Sequence, residues 1–210
     1  MVVRRRDADR SRAAILDAAE RLFAERGPRA ATLGDIAAEA GVATGTPSYF
    51  FGSKNELYQE VLARLASSRE AALREAFAPV AAWAAAPVGG RAGLREALAA
   101  AVRGYLAFLD ESPAFARLIG WEALAGAERL QAVPTHGRAV TEALGALRGV
   151  EGVGDFDPAL ASVALVSLCF LPVAHESTFR ASGQLETSAP AFREPYVDVV
   201  VDALLGIVTE

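Results

Sequence analysis

Apolar residues recur every three or four positions through most of this chain, and β-branched runs of period two are scarce. That spacing places one apolar stripe on each of a series of helices and offers no strand a buried face, so it predicts an all-α protein. The chain has 210 residues, about half of them hydrophobic, which is ample to bury a core in one or two domains. Cys169 is its single cysteine, so neither an intramolecular disulfide nor a cysteine-based metal cage is expected. The opening residues MVVRRRDADRSR are charged and lack the apolar core of a signal peptide, which points to a reducing, cytoplasmic setting. The uncharged run PALASVALVSLCFLPVA (158–174) is short for a bilayer span and carries Pro172 near its end, so it reads as a buried helix.

Charge is divided unevenly. Through Glu56 there are nine Lys or Arg and eight Asp or Glu, a balance of +1, and the remainder carries −6 of the total of −5. Arg4, Arg5 and Arg6, with Arg10 and Arg12, cluster at the start, ahead of a first helix expected from about Ser11 to Glu25, where they could meet phosphate. Gly27-Pro28 stops that helix. Thr32 opens a second, with Asp35 three residues on as its capping-box partner, and Gly41 ends it in a left-handed conformation. Ser53 and Glu56 make a second box at the head of a longer helix that continues to Phe77. After the break AAPVGGRAG (85–93), helices are expected over about 92–111, 113–131, 134–148, 158–180 and 193–208.

Between the two capping boxes lies GVATGTPSYFFGSKNELY (41–58), poor in helix formers and rich in hydroxyls and rings. A helix, a tight turn at Gly41 and a brief polar helix make a helix-turn-helix. Val42 and Phe51 can anchor the short helix, which leaves Thr44, Gly45, Thr46, Ser48 and Tyr49 pointing outward. Hydroxyls can donate to phosphate or base edges, and a glycine lets backbone approach DNA closely.

The blocks AAxxLFAERG, TLGDIAAEAGVATGT and YFFGSKNELY stand in the order and spacing of the DNA-binding domain of TetR-family bacterial regulators, which the first fifty-seven residues closely resemble. The resemblance implies a three-helix DNA-binding domain (1–57) and a helical effector-binding and dimerisation domain (58–210). It also implies a homodimer that binds double-stranded DNA at an inverted repeat and answers to a small-molecule effector. Carried over by position, it puts Thr44, Gly45, Thr46 and Ser48 at the major groove, and Tyr49 and Phe50 along the backbone or base methyls. Lys54, the chain's one lysine, would donate to a phosphate, and Thr32 would cap its helix and touch another. Pro47 and Ser48 depart from the family, which usually has Leu and Tyr there. With Thr44 as N-cap, Pro47 is the third helical residue, whose missing N–H has no intrahelical acceptor anyway. The two departures keep a second reading open, that of a helical small-molecule-binding or scaffold protein that has lost sequence-specific DNA binding.

The second domain offers weaker signals. EPYVDVVVDALLGIV and the 158–174 run are apolar nearly all round, so they need partners on more than one side. Pairing with their symmetry mates would give a four-helix dimer interface. Trp83, Tyr105, Phe108, Phe115, Trp121 and Phe170, with His136 and His175 as polar contacts, would suit an apolar or aromatic effector, although core packing is the commoner fate of any single ring. No catalytic, metal or cofactor residues are expected. His175-Glu176-Ser177-Thr178-Phe179 has Phe where a zinc-binding H-E-x-x-H motif needs its second His. GVEGVG (149–154) follows no strand, and two histidines and one cysteine leave little for a nucleophile system.

Overall fold

Capping chemistry defines the first elements of the computed structural model, which describes residues 2–132, 137–183 and 185–209. Thr32 Oγ1 accepts from Asp35 N at 3.1 Å, and Thr32 N donates to Asp35 Oδ2 at 3.2 Å, which opens α2 (Leu33–Glu39). Helix α4 (Lys54–Ala76) opens in the same way, with Ser53 N donating to Glu56 Oε2 at 2.7 Å and Glu56 N to Ser53 Oγ at 3.2 Å. Between them, Gly41 (φ +67) turns the chain, and α3 (Thr46–Phe51) follows. Before them runs α1 (Val2–Ala30), kinked at Gly27, whose φ of 77 and ψ of 160 lie where only glycine rests comfortably.

The helix therefore begins nine residues ahead of the expected Ser11. Ser11 Oγ donates back to the Asp7 carbonyl at 2.9 Å, so its hydroxyl bonds to the preceding turn instead of capping a new helix. Arg4, Arg5, Arg6 and Arg10 thus lie on the first turns of α1.

The remaining helices are α5 (Ala78–Ala85), α6 (Gly90–Glu111), α7 (Pro113–Leu124), α8 (Arg138–Gly145), α9 (Pro158–Ala174), α10 (Glu176–Ala181) and α11 (Pro190–Thr209), with a 3₁₀ turn at Glu128–Ala132. Among the described residues there is no strand, and no helix is long and apolar enough to cross a membrane. Pro79 in the first turn of α5 marks that helix off from α4, which ends one residue before the expected Phe77. The expected 158–180 helix divides at His175, and the 113–131 helix stops at Leu124 before its 3₁₀ turn.

Two compact units result, and they do not part at residue 57. One comprises residues 1–66 and 114–133; the other comprises 67–113 and 134–210. In the first, Ile15, Phe23, Ile36, Leu57, Val61 and Leu118 are fully buried, and the Phe23 and Tyr58 rings meet edge-on at 4.9 Å. Helix α7 belongs to this core. Trp121 lies against Gly27, where an added Cβ would stand 3.1 Å from its ring, and its Nε1 donates to the Ala24 carbonyl at 3.4 Å. Beside it the fully buried Glu122 accepts from Arg129 Nη1 at 3.3 Å, and Arg129 stands over the Tyr58 ring at 5.7 Å. Burial, with the Glu122 carboxylate close by, pushes the Tyr58 phenol far above its ordinary range.

In the second unit, α6 and α11 run antiparallel, tied at their edges by Arg91 to Thr209, Arg95 to Asp198 and Asp202, Arg103 to Glu194, and Arg193 to Asp110. Asp198 and Asp202, the narrow polar stripe of α11, thus both serve Arg95. Leu98, Val102, Tyr105, Leu144, Leu165, Val200 and Leu204 fill the interior.

Candidate nucleic-acid interface

Helix α3 is held by two buried residues, and Thr46, expected to point outward, is half-buried like Phe50. Pro47 and Phe51 are buried; Thr44, Gly45 and Ser48 are exposed, and Tyr49 is 83% exposed. Tyr49 meets the half-buried Phe50 edge-on, with ring centroids 5.2 Å apart, so the pair stands as one aromatic ridge beside the hydroxyls. The N-cap is Gly45, one residue later than expected, and Pro47 is the second helical residue. The physical point is unchanged: an N–H in the first turn has no intrahelical acceptor, so Pro47 removes no bond and its fixed φ suits the start. A helix-interior proline costs ~3 kcal/mol, and none of that applies here. Pro47→Leu is expected to keep the fold and change DNA affinity by less than about tenfold, since the outward side chains remain. Loss of helicity or of a single sized species in that variant, by circular dichroism and gel filtration, would contradict this.

Lys54 has a local job. Its Nζ donates to the carbonyls of Arg29 and Ala31, each at 3.1 Å, and so ties the end of α1 to the head of α4. That leaves one of its three donors for a phosphate. Thr32 Oγ1 also donates to Asp35 Oδ2 at 2.7 Å, so its hydroxyl is engaged within the capping box. Those bonds from Thr32 are the main reason the Asp35 carboxyl titrates below its usual range. Arg12 stands 4.8 Å over the Phe51 ring and pairs with Glu60 at 2.9 Å, while Arg6 is exposed.

The aromatic residues expected to meet an effector scatter. Tyr105 is fully buried and Phe108 nearly so on α6, their rings parallel with centroids 6.3 Å apart. Phe170 is half-buried on α9, and His175 is exposed where α9 gives way to α10. Trp121 does not join them: it sits in the first unit against Gly27, because α7 returns to that core. His136 lies outside the described residues.

Sequence reasoning gave no role to two arginines of the helical unit, one buried and one partly buried. Arg69 is 2% exposed, and its Nε donates to Tyr105 Oη at 3.4 Å. Arg193, at 12% exposure, reaches Asp110. Each continues an apolar stripe, Arg69 between Leu65 and Leu73, and Arg193 four residues before Val197. A charge in phase with buried neighbours was the available signal.

These features define a helix-turn-helix module joined to a helical domain. Comparison places the chain in a family. Residues 15–61 match the family model for bacterial regulatory proteins of the tetR family, and residues 95–204 match that of the tetracyclin repressor-like C-terminal domain. The chain belongs to the TetR family of transcriptional regulators. It is 46% identical over 56 residues to the HTH-type transcriptional regulator TtgR of Pseudomonas putida, covering 27% of each chain. Over 51 residues it is 47% identical to the HTH-type transcriptional repressor KstR2 of Rhodococcus jostii, covering 24% of this chain and 25% of that one. The matched part thus spans about a quarter of the length of these relatives. A TetR family transcriptional regulator from Pseudomonas syringae pv. tomato is similar over 94% of this chain and 96% of its own, with a TM-score of 0.64 and 26% identity.

Proposed function

We propose that this protein is a dimeric, ligand-responsive transcriptional repressor of the bacterial cytoplasm, which grips an inverted-repeat operator and is released by a small molecule. The observation that carries the reading is α3 and the turn before it: Thr44 and Gly45 of the turn and Ser48 and Tyr49 of the helix are exposed, while Pro47 and Phe51 fix the helix from beneath. Two such helices related by a two-fold axis would enter successive major grooves roughly 34–36 Å apart. The arginines of the first turns of α1 and the remaining donor of Lys54 would supply phosphate contacts.

Dimerisation is assigned to α9 and α11. Leu160, Val163 and Leu171 on α9 and Val199 and Ile207 on α11 are exposed large apolar residues on two neighbouring helices, which suits a self-complementary surface. Effector binding to the helical unit would favour the spacing that cannot span both grooves, with α4, which contributes to both units, as the lever. The competing reading, a binding module without DNA activity, loses most of its support once Pro47 sits harmlessly in a first turn. It then rests on Ser48 alone.

The test is selection of bound duplexes from a random pool near physiological salt. Enrichment of an inverted repeat is the expected result; no enrichment from folded, dimeric protein would favour the module reading. On the selected operator, Tyr49→Ala should weaken binding about tenfold, as loss of one groove contact does, with thermal stability unchanged because the ring is in solvent.

A further inference from the structure

Residues 41–52 carry no charged, amide or imidazole side chain. The charges that flank them are engaged: Glu39 with Arg21 at 3.1 Å, Asp35 with Arg26 at 3.8 Å, and Lys54 with two backbone carbonyls. Asn55, the nearest amide, lies beyond α3 and accepts from Arg129 Nε at 3.2 Å. In the major groove guanine is read by Arg or Lys, adenine by Asn or Gln, and cytosine by Asp or Glu. None of these readers stands on α3 or on the turn before it. The hydroxyls of Thr44 and Ser48 can donate or accept, so they suit several base edges and discriminate weakly.

What α3 offers instead is apolar. Gly45, Ser48 and Tyr49 share one face by their i, i+3, i+4 spacing, and all three are exposed. The Tyr49 ring stands in solvent yet is backed: it meets Phe50 edge-on at 5.2 Å, and Phe50 meets the buried Phe51 at 6.4 Å. Three consecutive rings thus lead from the core to the surface, and the outermost leaves its apolar area in water. Gly45 adds room beside it. Its φ of −80 suits any residue, and nothing stands within 4 Å of an added Cβ, so nothing within the chain calls for a glycine. Thr44, exposed one residue earlier, carries a methyl. Open space flanked by a ring and a methyl fits a small apolar projection arriving from outside. Of the bases in the major groove, only thymine presents one, its C5 methyl.

We propose that the helix-turn-helix specifies its operator through thymine methyl groups, read by the Tyr49 ring with Phe50 behind it and by the Thr44 methyl. The assignment rests on the reading of α3 as the recognition helix and names the bases it selects, T·A pairs.

Deoxyuridine tests this, because it removes the thymine methyl and leaves every donor and acceptor of the base in place. In the duplex selected from a random pool, thymines are replaced one position at a time, in both half-sites together. Affinity of the full-length protein is then titrated at fixed salt. Loss of one buried methyl weakens binding about fourfold, so roughly 15-fold over two half-sites, at one or two positions. Tyr49→Ala and Thr44→Ser, which keeps the hydroxyl, should each shrink that penalty at one position. Arg29→Ala, at the exposed end of α1, should weaken all duplexes alike and leave the penalty intact. Uracil throughout both half-sites binding within about twofold of thymine overturns the proposal. So does a penalty undiminished in both variants, since an effect of uracil on DNA stiffness would survive them. With no sequence enriched from folded, dimeric protein, the regulator reading falls and this one with it; an enriched repeat that tolerates uracil sinks this one alone.

Discussion

Glutamate at both Leu171 and Val199 is expected to give a folded monomer that binds the selected operator roughly 100-fold or more weakly than the parent. Both side chains are in solvent in the single chain, at 52% and 58% exposure, so neither helix loses intramolecular packing. In a two-fold dimer each substitution appears twice, close to its own symmetry mate, and buries like charges without partners. Operator affinity then collapses, because the second half-site is no longer held at high effective concentration. Gel filtration, circular dichroism and operator titration measure the three parts separately. A variant that stays dimeric with full affinity would place the dimer surface elsewhere.

Gly93→Ala should be the most destabilising single methyl in the helical unit. In an open helical position that change stabilises by about 1 kcal/mol. Here the new Cβ would fall 2.0 Å from the Val88 carbonyl oxygen and 2.8 Å from Trp83 Nε1. That oxygen accepts the indole N–H at 2.9 Å, so relieving the clash breaks a part-buried bond as well as moving the turn before α6. Overpacking and a lost bond together cost about 3 kcal/mol, which for a chain of this size lowers Tm by roughly 6–12 °C. Gly120→Ala, where nothing stands within 4 Å of the added Cβ, is the control and should hold or gain stability. A Gly93→Ala melting point at or above that of the parent would contradict the packing around Trp83.

The parts of the fold legible in the sequence are those determined within a few residues. The Thr32–Asp35 and Ser53–Glu56 boxes and the turn at Gly41 need only side chains adjacent to their own backbone. They bracket α3, so the exposure of Thr44, Gly45, Ser48 and Tyr49 and the burial of Phe51 could be read, while Thr46 and the expected anchor Val42 are half-buried. Ser11 was ambiguous because one hydroxyl can cap a helix or bond to the turn before it, and only the wider chain decides. Trp121 was harder still: its place against Gly27 depends on a return of the chain 94 positions later. Arg193 follows the same rule, since its partner Asp110 stands on α6, and periodicity on α11 alone shows only that it is in phase with Val197.

The return of α7 to the first unit has an evolutionary consequence. A recombination event that exchanged N-terminal halves at a single point near residue 66 would separate Tyr58 and Gly27 from the Glu122 and Trp121 that close their core. Successful chimeras should therefore be those that transplant residues 114–132 together with the first 66.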